Sequence, residues 1–443
     1  MSSLSGLASR NSLCKLTVLL AVFFTCALIA LPAHAGSQAR IVRLSDVQGS
    51  VQIDKNSGLG FENAFLNLPV TQGSQIQTRG NGRAEIEFED GSTVRLAPNS
   101  RLEFNTLGLK ESGQRLSEIN LAQGTAYVNW AGKSGDAFTL NFSREKVDLD
   151  RAAHLRIDTA PDLVKLAVFK GEVQVSTPSG PVAVQKKKMV TFSGENDQAL
   201  LAKNIEPEPL DSWDKESIAY HDQYARNNSS PYGYGASDMN YYGSYTSVPG
   251  YGMMWQPFFT GAGWDPFMDG AWSWYPGYGY MFVSAYPWGW MPYRYGNWAM
   301  IHGYGWMWQP GNWNSWSGVP RYSGVSASAL HSLIVPTGTV KTVIVGRGGA
   351  LSSAALPSQL IITRGSAGIG VPRGALGNLK SLNNQVAKSG LVQTAPSRQL
   401  GVTSRGTISE SRGASSSRSA SSASAAHASS VSSSHASVPS GHR

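Results

Sequence analysis

The sequence feature that most constrains the fold is a cluster of tryptophans inside a segment that repeats itself. Eleven of the 13 tryptophans lie between Trp255 and Trp316. A Pro-Gly-Tyr-Gly tetrad at residues 249–252 recurs at residues 276–279, and a His-Gly-Tyr-Gly variant follows at residues 302–305. The offsets are 27 and 26 residues. A repeat of this length indicates one structural unit used several times, because each copy is too small to bury its apolar face alone.

Each copy is predicted to be a β-hairpin. Pro-Gly and Gly-x-Gly are turn sequences, and aromatic residues and methionines flank them on both sides. In the second copy, Trp272 and Trp274 lead into the turn, and Tyr280 and Phe282 lead out of it. Alternate residues of a strand share one face of a sheet. Glycines and prolines interrupt every apolar run well short of the ~20 residues that a membrane-spanning helix needs.

The aromatic residues of this segment have two interpretations. Most of the rings can form the core of a small β-sheet domain, since burying one large side chain is worth about 1.5–3 kcal/mol. Alternatively, some rings can form an exposed platform that stacks on sugars or on a protein partner. The platform residues that we predict are Trp288, Trp290, Tyr293 and Tyr295.

The first 35 residues have the pattern of a secretory signal. Arg10 and Lys15 precede an apolar stretch at residues 16–31, and a small-x-small sequence ends at Ala35, after which cleavage is expected. The alternative is an uncleaved N-terminal membrane anchor. The protein is therefore predicted to be exported, to the periplasm or to the cell surface.

Cysteine and charge restrict the chemistry further. Both cysteines, Cys14 and Cys26, lie inside the predicted signal, so the exported chain is expected to hold no disulfide, thiolate metal site or cysteine nucleophile. From Arg321 onward there are twelve Lys and Arg residues but a single acid, Glu410. This basic part is expected to contact anionic polymer or a membrane surface. Nucleic acid is not expected as a partner of an exported protein.

Residues 41–193 have the pattern of one all-β domain, and about 150 residues are enough for one core. Between residues 75 and 104, Asn-Gly at 81–82 and Asp-Gly at 90–91 are predicted to be hairpin turns between alternating strands. In the strand at residues 83–89, the alternation predicts that the apolar side chains face the core and that the glutamates face water.

Three segments of this region resemble the FecR-type domain, an all-β extracytoplasmic module. They are Leu-Pro-Val-Thr-Gln-Gly at 68–73, a hairpin followed by Pro-Asn-Ser at 84–102, and Val-Phe-Lys-Gly-Glu-Val-Gln-Val at 168–175. The resemblance covers residues 45–193 and implies an all-β fold and an extracytoplasmic location. The aromatic repeats, with Leu-Asp-Ser-Trp before them at 210–213, are similar to a region of unknown function that follows FecR-type domains in some bacterial envelope proteins.

The best-understood FecR-type proteins relay an outside signal through a membrane anchor to a segment that controls a sigma factor. Only fifteen residues precede the apolar stretch of this chain, which is too few for a sigma-regulating domain. The resemblance therefore supports location and fold more than signalling.

The rest of the chain is predicted to be less regular. Residues 194–240 are predicted to be a linker with a short helix capped by Asp211, and residues 241–318 to be the aromatic hairpin domain. Residues 319–372 are predicted to hold loops and short strands, at 332–335, 340–345 and 360–363. The basic Ser-, Ala- and Gly-rich tail at 373–443 is predicted to be disordered, since it buries too little apolar surface to offset its ordering entropy.

The sequence contains no convincing catalytic or metal-binding pattern. Gly-Lys-Ser at 132–134 resembles the end of a phosphate-binding loop, but it lies in a β region without the first glycine of that motif. The histidines are scattered, with no pair at metal-ligand spacing. We therefore predict no catalytic residue, no cofactor and no metal site.

Together these features predict a mainly β, non-enzymatic, exported cell-envelope protein that acts by binding or scaffolding. The predicted partner is cell-wall polymer (a glycan) or another envelope protein. The alternative function is a FecR-like extracytoplasmic sensor that signals to a membrane partner. A third option is a glycan-active enzyme, which would need two carboxyl groups facing one groove.

Overall fold

The computed structural model describes residues 40–193, 198–226, 230–338, 342–346 and 358–396. The predicted signal, or alternative anchor, at residues 1–35 and the predicted tail beyond residue 396 lie outside these ranges. The described chain is mainly β, as predicted. Within the described ranges, no helix is both long and apolar enough to cross a membrane.

The N-terminal β domain (residues 41–202) contains two sheets that share one long strand, β9 (Arg115–Trp130). The first sheet has the order β4 (Pro69–Val70), β1 (Val42–Gln48), β6 (Arg83–Glu87), β7 (Thr93–Leu96), β9, β12 (Ala153–Ala160), β13 (Leu163–Lys170), β16 (Lys188–Ser193) and β17 (Ala199–Ala202). The second has the order β3 (Glu62–Asn63), β2 (Val51–Asp54), β5 (Gln75–Thr78), β8 (Arg101–Leu109), β9, β10 (Ala137–Phe142), β11 (Glu145–Leu149), β14 (Glu172–Thr177) and β15 (Gly180–Gln185).

Gly124 marks the point where β9 passes from one sheet to the other. Residues 115–123 pair with β8, and residues 124–130 pair with β12. Gly124 has a φ of +85°, and a side chain there would lie 2.6 Å from the backbone of Ser100, so only glycine fits. The two sheets pack face to face: Phe138 of β10 lies 5.4 Å from the ring of Phe88, which follows β6 in the other sheet.

The predicted strands between residues 75 and 104 are present as β5 to β8, but one of the two predicted hairpins is wrong. Asp-Gly at 90–91 does join the paired strands β6 and β7. Asn-Gly at 81–82 does not form a hairpin, because β5 and β6 belong to different sheets. This turn instead carries the chain from one sheet to the other. Glycine is needed at position 82 because a side chain there would lie 2.1 Å from the carbonyl oxygen of Ser50.

The prediction that the glutamates of β6 face water is also wrong. Glu85, Glu87 and Glu89 are only 1%, 1% and 6% exposed. Two helices, α1 (Asp211–Tyr224) and α2 (Ala236–Tyr242), supply partners for this face. Alternation shows which side chains share a face, but it does not show whether another layer covers that face.

The predicted linker at 194–240 therefore holds a second layer of structure. The short helix expected there is α1, and its Trp213 and Tyr220 are buried. Asp211 does not cap it, because its carboxylate accepts hydrogen bonds from Arg156 Nη1 at 2.7 Å and from the Tyr127 hydroxyl at 3.0 Å.

The aromatic domain consists of three hairpins and a short helix, and each repeated tetrad forms the predicted turn. The hairpins are β18 (Gly243–Val248) with β19 (Gly252–Pro257), β20 (Gly270–Tyr275) with β21 (Gly279–Ser284), and β22 (Asn297–Ile301) with β23 (Gly305–Gln309); the helix is α3 (Met291–Arg294). Trp272 and Trp274 lead into the second turn and Tyr280 and Phe282 lead out of it, as predicted, and in this hairpin Trp272 pairs with Phe282 and Trp274 with Tyr280.

Successive copies of the hairpin do not lie next to one another. The first and third hairpins share a sheet with the order β18-β19-β23-β22-β24 (Tyr322–Ser323), whereas the second pairs with β25 (Thr342–Val345). Among the eleven clustered tryptophans, eight are buried and Trp274, Trp313 and Trp316 are half-buried. Most of these indoles are buried, as the core interpretation requires. They are covered by several parts of the protein, however, and not by neighbouring copies of the repeat stacked on one another.

The remaining described segments correct two predictions. The strands expected at 340–345 and 360–363 are present as β25 and β26 (Leu360–Thr363), whereas the segment at 332–335 overlaps a 3-10 helix (His331–Leu333) that follows another (Ala327–Ala329). Residues 373–396 were predicted to be disordered, and this prediction is wrong. They contain α4 (Leu379–Ser389) and β27 (Leu391–Thr394), which pairs with β26.

Candidate functional site

The four predicted platform residues lie inside the protein. Trp288 and Trp290 are 0% exposed, Tyr293 is 1% exposed and Tyr295 is 3% exposed. Trp288 Nε1 donates to the carbonyl oxygen of Ala367 at 2.7 Å. The structure therefore favours the core interpretation for these rings and leaves no platform of these residues at the surface.

One charged side chain, that of Arg294, is buried inside this aromatic core. The guanidinium of Arg294 is fully buried and lies 5.1 Å from the ring centres of both Trp290 and Trp316. Its Nη2 donates to the carbonyl oxygen of Phe282 at 2.7 Å. Burial lowers the pKa of Arg294 to about 10. No carboxylate among the described residues forms an ion pair with it, so cation–π contacts and carbonyl dipoles hold the charge.

The exposed aromatic residues of this domain are the tyrosines of the repeated tetrads. Tyr251, Tyr278 and Tyr304 are 45%, 37% and 45% exposed. In each turn the tyrosine N–H donates to the carbonyl oxygen three residues earlier, at 3.0–3.2 Å. The glycines on both sides have φ values of +76° to +81°, and a side chain on any of them would meet nothing within 4 Å. Glycine is required here for its backbone conformation, and the turns project into solvent.

Two of these turns also carry an exposed methionine in the adjoining strand. Met253 follows Tyr251 and is 54% exposed, and Met300 precedes Tyr304 and is 39% exposed. We call these two pairs the tyrosine tips. The turn at Tyr278 differs, because its neighbours Tyr280 and Met281 are buried. The tips were not predicted as a site, although the repeated tetrad is the signal that could have identified them.

A second candidate site is a buried charged seam between the β domain and the elements that cover it. The seam consists of Arg43, Glu85, Glu87, His221, Asp238 and Arg373. None of its members was predicted as a site residue, since they come from four separate parts of the sequence.

Glu85 lies at the centre of the seam. Its carboxylate accepts hydrogen bonds from Arg95 Nε at 2.8 Å and from Arg373 Nη1 at 2.7 Å, and it lies 3.0 Å from His221 Nε2. Burial by itself would raise the pKa of this carboxyl, but His221, Arg95 and Arg373 together hold the pKa well below its usual value. Glu85 is therefore a carboxylate in the folded protein.

Asp238 of α2 is the second anion of the seam. It accepts from Arg373 Nη2 at 2.8 Å and from the Tyr220 hydroxyl at 2.8 Å, and Arg43 Nη1 lies 2.7 Å away. Burial opposes its ionisation, yet Arg373 and Arg43 lower its pKa below the usual value. Arg373 thus bridges a strand of the β domain and a helix next to the aromatic domain.

Glu87 has the opposite electrostatic balance. It accepts from Arg43 Nη1 at 3.2 Å and from the backbone N–H of Gly235 at 3.0 Å. Burial raises its pKa, and His221 and Arg43 offset this only in part. The seam therefore combines carboxyl groups whose pKa values are shifted in opposite directions, which makes its stability depend on pH.

The seam has no space for a substrate, because its charged groups contact one another. Surface depressions lie elsewhere among the described residues, and two of them have linings that bear on catalysis. One is lined by residues 261–264 with Met268, Arg364 and Gly365, and the other by residues of β15, β16 and β17. Neither is lined by a carboxyl group, so neither has the pair of acids that glycan hydrolysis requires.

Comparisons with known proteins agree with the two-part organisation of the fold. Residues 74–174 match the FecR protein family. Residues 236–329 match a family of unknown function (DUF6600), which begins at α2 and includes all three hairpins. The chain thus carries a FecR domain followed by a DUF6600 domain. Arg373 lies outside both matches but contacts one residue in each, Glu85 and Asp238.

Two solved structures are also similar to this chain, and both are of a proposed anti-sigma factor from Parabacteroides distasonis ATCC 8503. They are 19% and 18% identical to it and cover 34% and 33% of this chain and 72% and 71% of the other, each with a TM-score of 0.27. A search of curated proteins finds no match.

Proposed function

We propose that the protein is an exported, non-enzymatic envelope protein that binds cell-wall polymer through its tyrosine tips. The observation that carries this proposal is the exposure of Tyr251 and Tyr304 in a domain that buries most of its other rings. Each tip exposes a tyrosine and a methionine, and exposed apolar surface of this kind can mark an interaction site.

The chemistry of the tips suits an uncharged sugar. A tyrosine offers a flat apolar face with a hydroxyl at its edge, and it can stack on the apolar face of a sugar ring while the hydroxyl meets polar groups. The four strands that carry the tips, β18, β19, β22 and β23, contain no charged residue. The tips therefore favour the neutral glycan part of a cell-wall polymer over its charged parts.

The charged seam attaches the domain that carries the tips to the FecR domain. Removing one partner from a buried ion network costs about 3–5 kcal/mol, because the other charges stay buried without compensation. Arg43 also donates to the carbonyl oxygen of Pro287 at 3.0 Å, and the hydroxyl of Tyr275 donates to that of Pro69 at 2.6 Å. These contacts hold the aromatic domain on the FecR domain.

A pull-down of the full chain with purified peptidoglycan tests the proposal. We expect the wild type to be retained and the double variant Tyr251→Ala/Tyr304→Ala to bind at least about tenfold more weakly, a loss of about 1.4 kcal/mol. Tyr278→Ala is the matched control, since it removes the same ring from the same turn in the other sheet. Retention of the double variant at the wild-type level, or no retention of the wild type above an unrelated protein, would refute the proposal.

The second candidate function is a FecR-like sensor or regulator, which the FecR match supports. The charged seam favours it specifically, because a change at α2 would reach β6 directly through Asp238, Arg373 and Glu85. Hydrogen exchange of β6 with and without peptidoglycan fragments discriminates the two functions. Altered protection of β6 on binding supports a relay, whereas unchanged protection supports binding alone.

A further inference from the structure

The first and third hairpins are related by a local two-fold arrangement. Met-Trp-Gln-Pro at 254–257 and at 307–310 are identical sequences, and Trp255 and Trp308 are directly paired in the antiparallel contact of β19 with β23. The indole of Trp255 donates to the carbonyl oxygen of Met239, and that of Trp308 to the carbonyl oxygen of Tyr295. Two copies of the repeat thus meet as equivalent halves.

Each half also binds the turn of the other. Gln256 Nε2 donates to the carbonyl oxygen of Tyr304 at 2.9 Å, and Gln309 Nε2 donates to that of Tyr251 at 3.1 Å. These reciprocal hydrogen bonds fix the backbone of each tyrosine tip against the opposite hairpin. The tips are therefore supported turns, although their side chains are exposed.

This arrangement places the two tips at opposite ends of one sheet. Both β19 and β23 begin at a tip, with Trp255 and Trp308 each three residues beyond the first strand residue, and the two strands run in opposite directions. At about 3.3 Å per residue, Tyr251 and Tyr304 are roughly 25 Å apart along the sheet. Tyr251 and Tyr304 are therefore too far apart for one sugar ring to contact both.

We propose that the aromatic domain is bivalent and bridges two segments of neutral glycan, with one segment held at each tyrosine tip. This inference rests on the proposed function and adds to it a cross-linking activity. A glycan fits this geometry because a polymer network offers segments on opposite sides of the protein. A lipid bilayer fits the chemistry of the tips poorly, since no Lys or Arg lies in the tip strands to attract anionic headgroups.

The test separates binding from bridging with one set of variants of the full chain. Binding to solubilised peptidoglycan glycan strands is measured at low protein concentration, and bridging is measured as the rise in light scattering when protein and strands are mixed near equivalence. For the wild type we expect both signals. For Tyr251→Ala and for Tyr304→Ala we expect binding to persist while the scattering rise falls at least about fivefold, and the double variant should lose both.

A matched control makes the outcomes distinct. Tyr278→Ala should bind and bridge as the wild type does, because its hairpin belongs to the other sheet. Binding by the wild type without bridging, or bridging by both single alanine variants, would overturn bivalency and leave the proposed function standing. Scattering by the protein alone, or co-sedimentation with phosphatidylcholine and phosphatidylglycerol vesicles that the double variant loses, would also overturn it, in favour of self-association or of a membrane.

Discussion

Arg373 and Glu85 lie 288 residues apart in the sequence, and their side chains form an ion pair of 2.7 Å. The same guanidinium holds Asp238 at 2.8 Å. One arginine from a segment beyond both recognised domains therefore joins a FecR strand to the helix that opens the DUF6600 domain. The stability of the two domains is coupled through this side chain.

Replacing Arg373 by methionine should destabilise the protein by about 3–5 kcal/mol, since Glu85 and Asp238 would remain buried with too few cations. Urea unfolding followed by circular dichroism measures the loss. Lys380→Ala is the control, because Lys380 is exposed on α4 only seven residues away. If both variants unfold at the same urea concentration as the wild type, the seam does not couple the domains.

Acid should weaken the seam through Glu85 and Asp238. Their pKa values are lowered in the folded protein, so the stability they contribute is complete above their usual values of 4.5 and 3.8 and is lost as the pH falls through the folded values. Glu87 acts in the opposite sense: its raised pKa contributes stability at low pH that is lost as the pH rises through the folded value.

The variant Glu85→Gln isolates one of these contributions. We expect it to be less stable than the wild type at pH 7 and to differ less from the wild type as the pH falls below 4.5, the usual pKa of a glutamate, because the unfolded chain then binds a proton that the folded carboxylate resists. Melting temperatures of both proteins between pH 3 and 8 provide the comparison. A constant difference across this range would mean that the charge of Glu85 contributes nothing.

The limits of the sequence prediction follow from the distance over which each interaction acts. The tyrosine turns were predicted correctly because their signal is local: the glycines on both sides of Tyr251 need positive φ. Glu85 was placed in water because its cover comes from Asp238 and Arg373, far away in the sequence. Trp290 was offered as a binding residue because its segment was interpreted as a strand with two aromatic faces, whereas Trp290 directly precedes α3 and is buried.

Arg294 should be essential for stability although no acid among the described residues pairs with it. Arg294→Lys keeps the charge but cannot keep the planar contacts with Trp290 and Trp316, nor the full set of hydrogen bonds to the carbonyls of Phe282, Ser317 and Gly318. We expect a loss of roughly 2–4 kcal/mol in thermal or urea unfolding. Arg321→Ala, whose side chain donates to Ser315 at the surface, should change stability by less than about 1 kcal/mol. Equal stability of Arg294→Lys and wild type would contradict the role of the planar group.

Gly243 should tolerate no side chain, because its added Cβ would lie 2.3 Å from the ring of Trp255. Gly243→Ala is expected to cost about 1–3 kcal/mol by overpacking and to disturb the sheet that carries both tyrosine tips. Gly263→Ala is a matched control, since a side chain there meets nothing within 4 Å. A melting temperature for Gly243→Ala no lower than that of the control would show that Trp255 can move aside at little cost.

Tryptophan fluorescence tests whether most of the clustered indoles are hidden from water. Eight of the eleven are buried, including Trp255, Trp288 and Trp298 at 0% exposure, so the folded protein should emit at a shorter wavelength than free tryptophan. Iodide should quench only a minor fraction of the emission, arising from half-buried indoles such as Trp313 and Trp316. In urea, the emission should shift to longer wavelength and become fully accessible to iodide. If iodide reaches nearly every indole of the folded protein, the aromatic core described above does not form, and the support it gives to the tyrosine tips is lost with it.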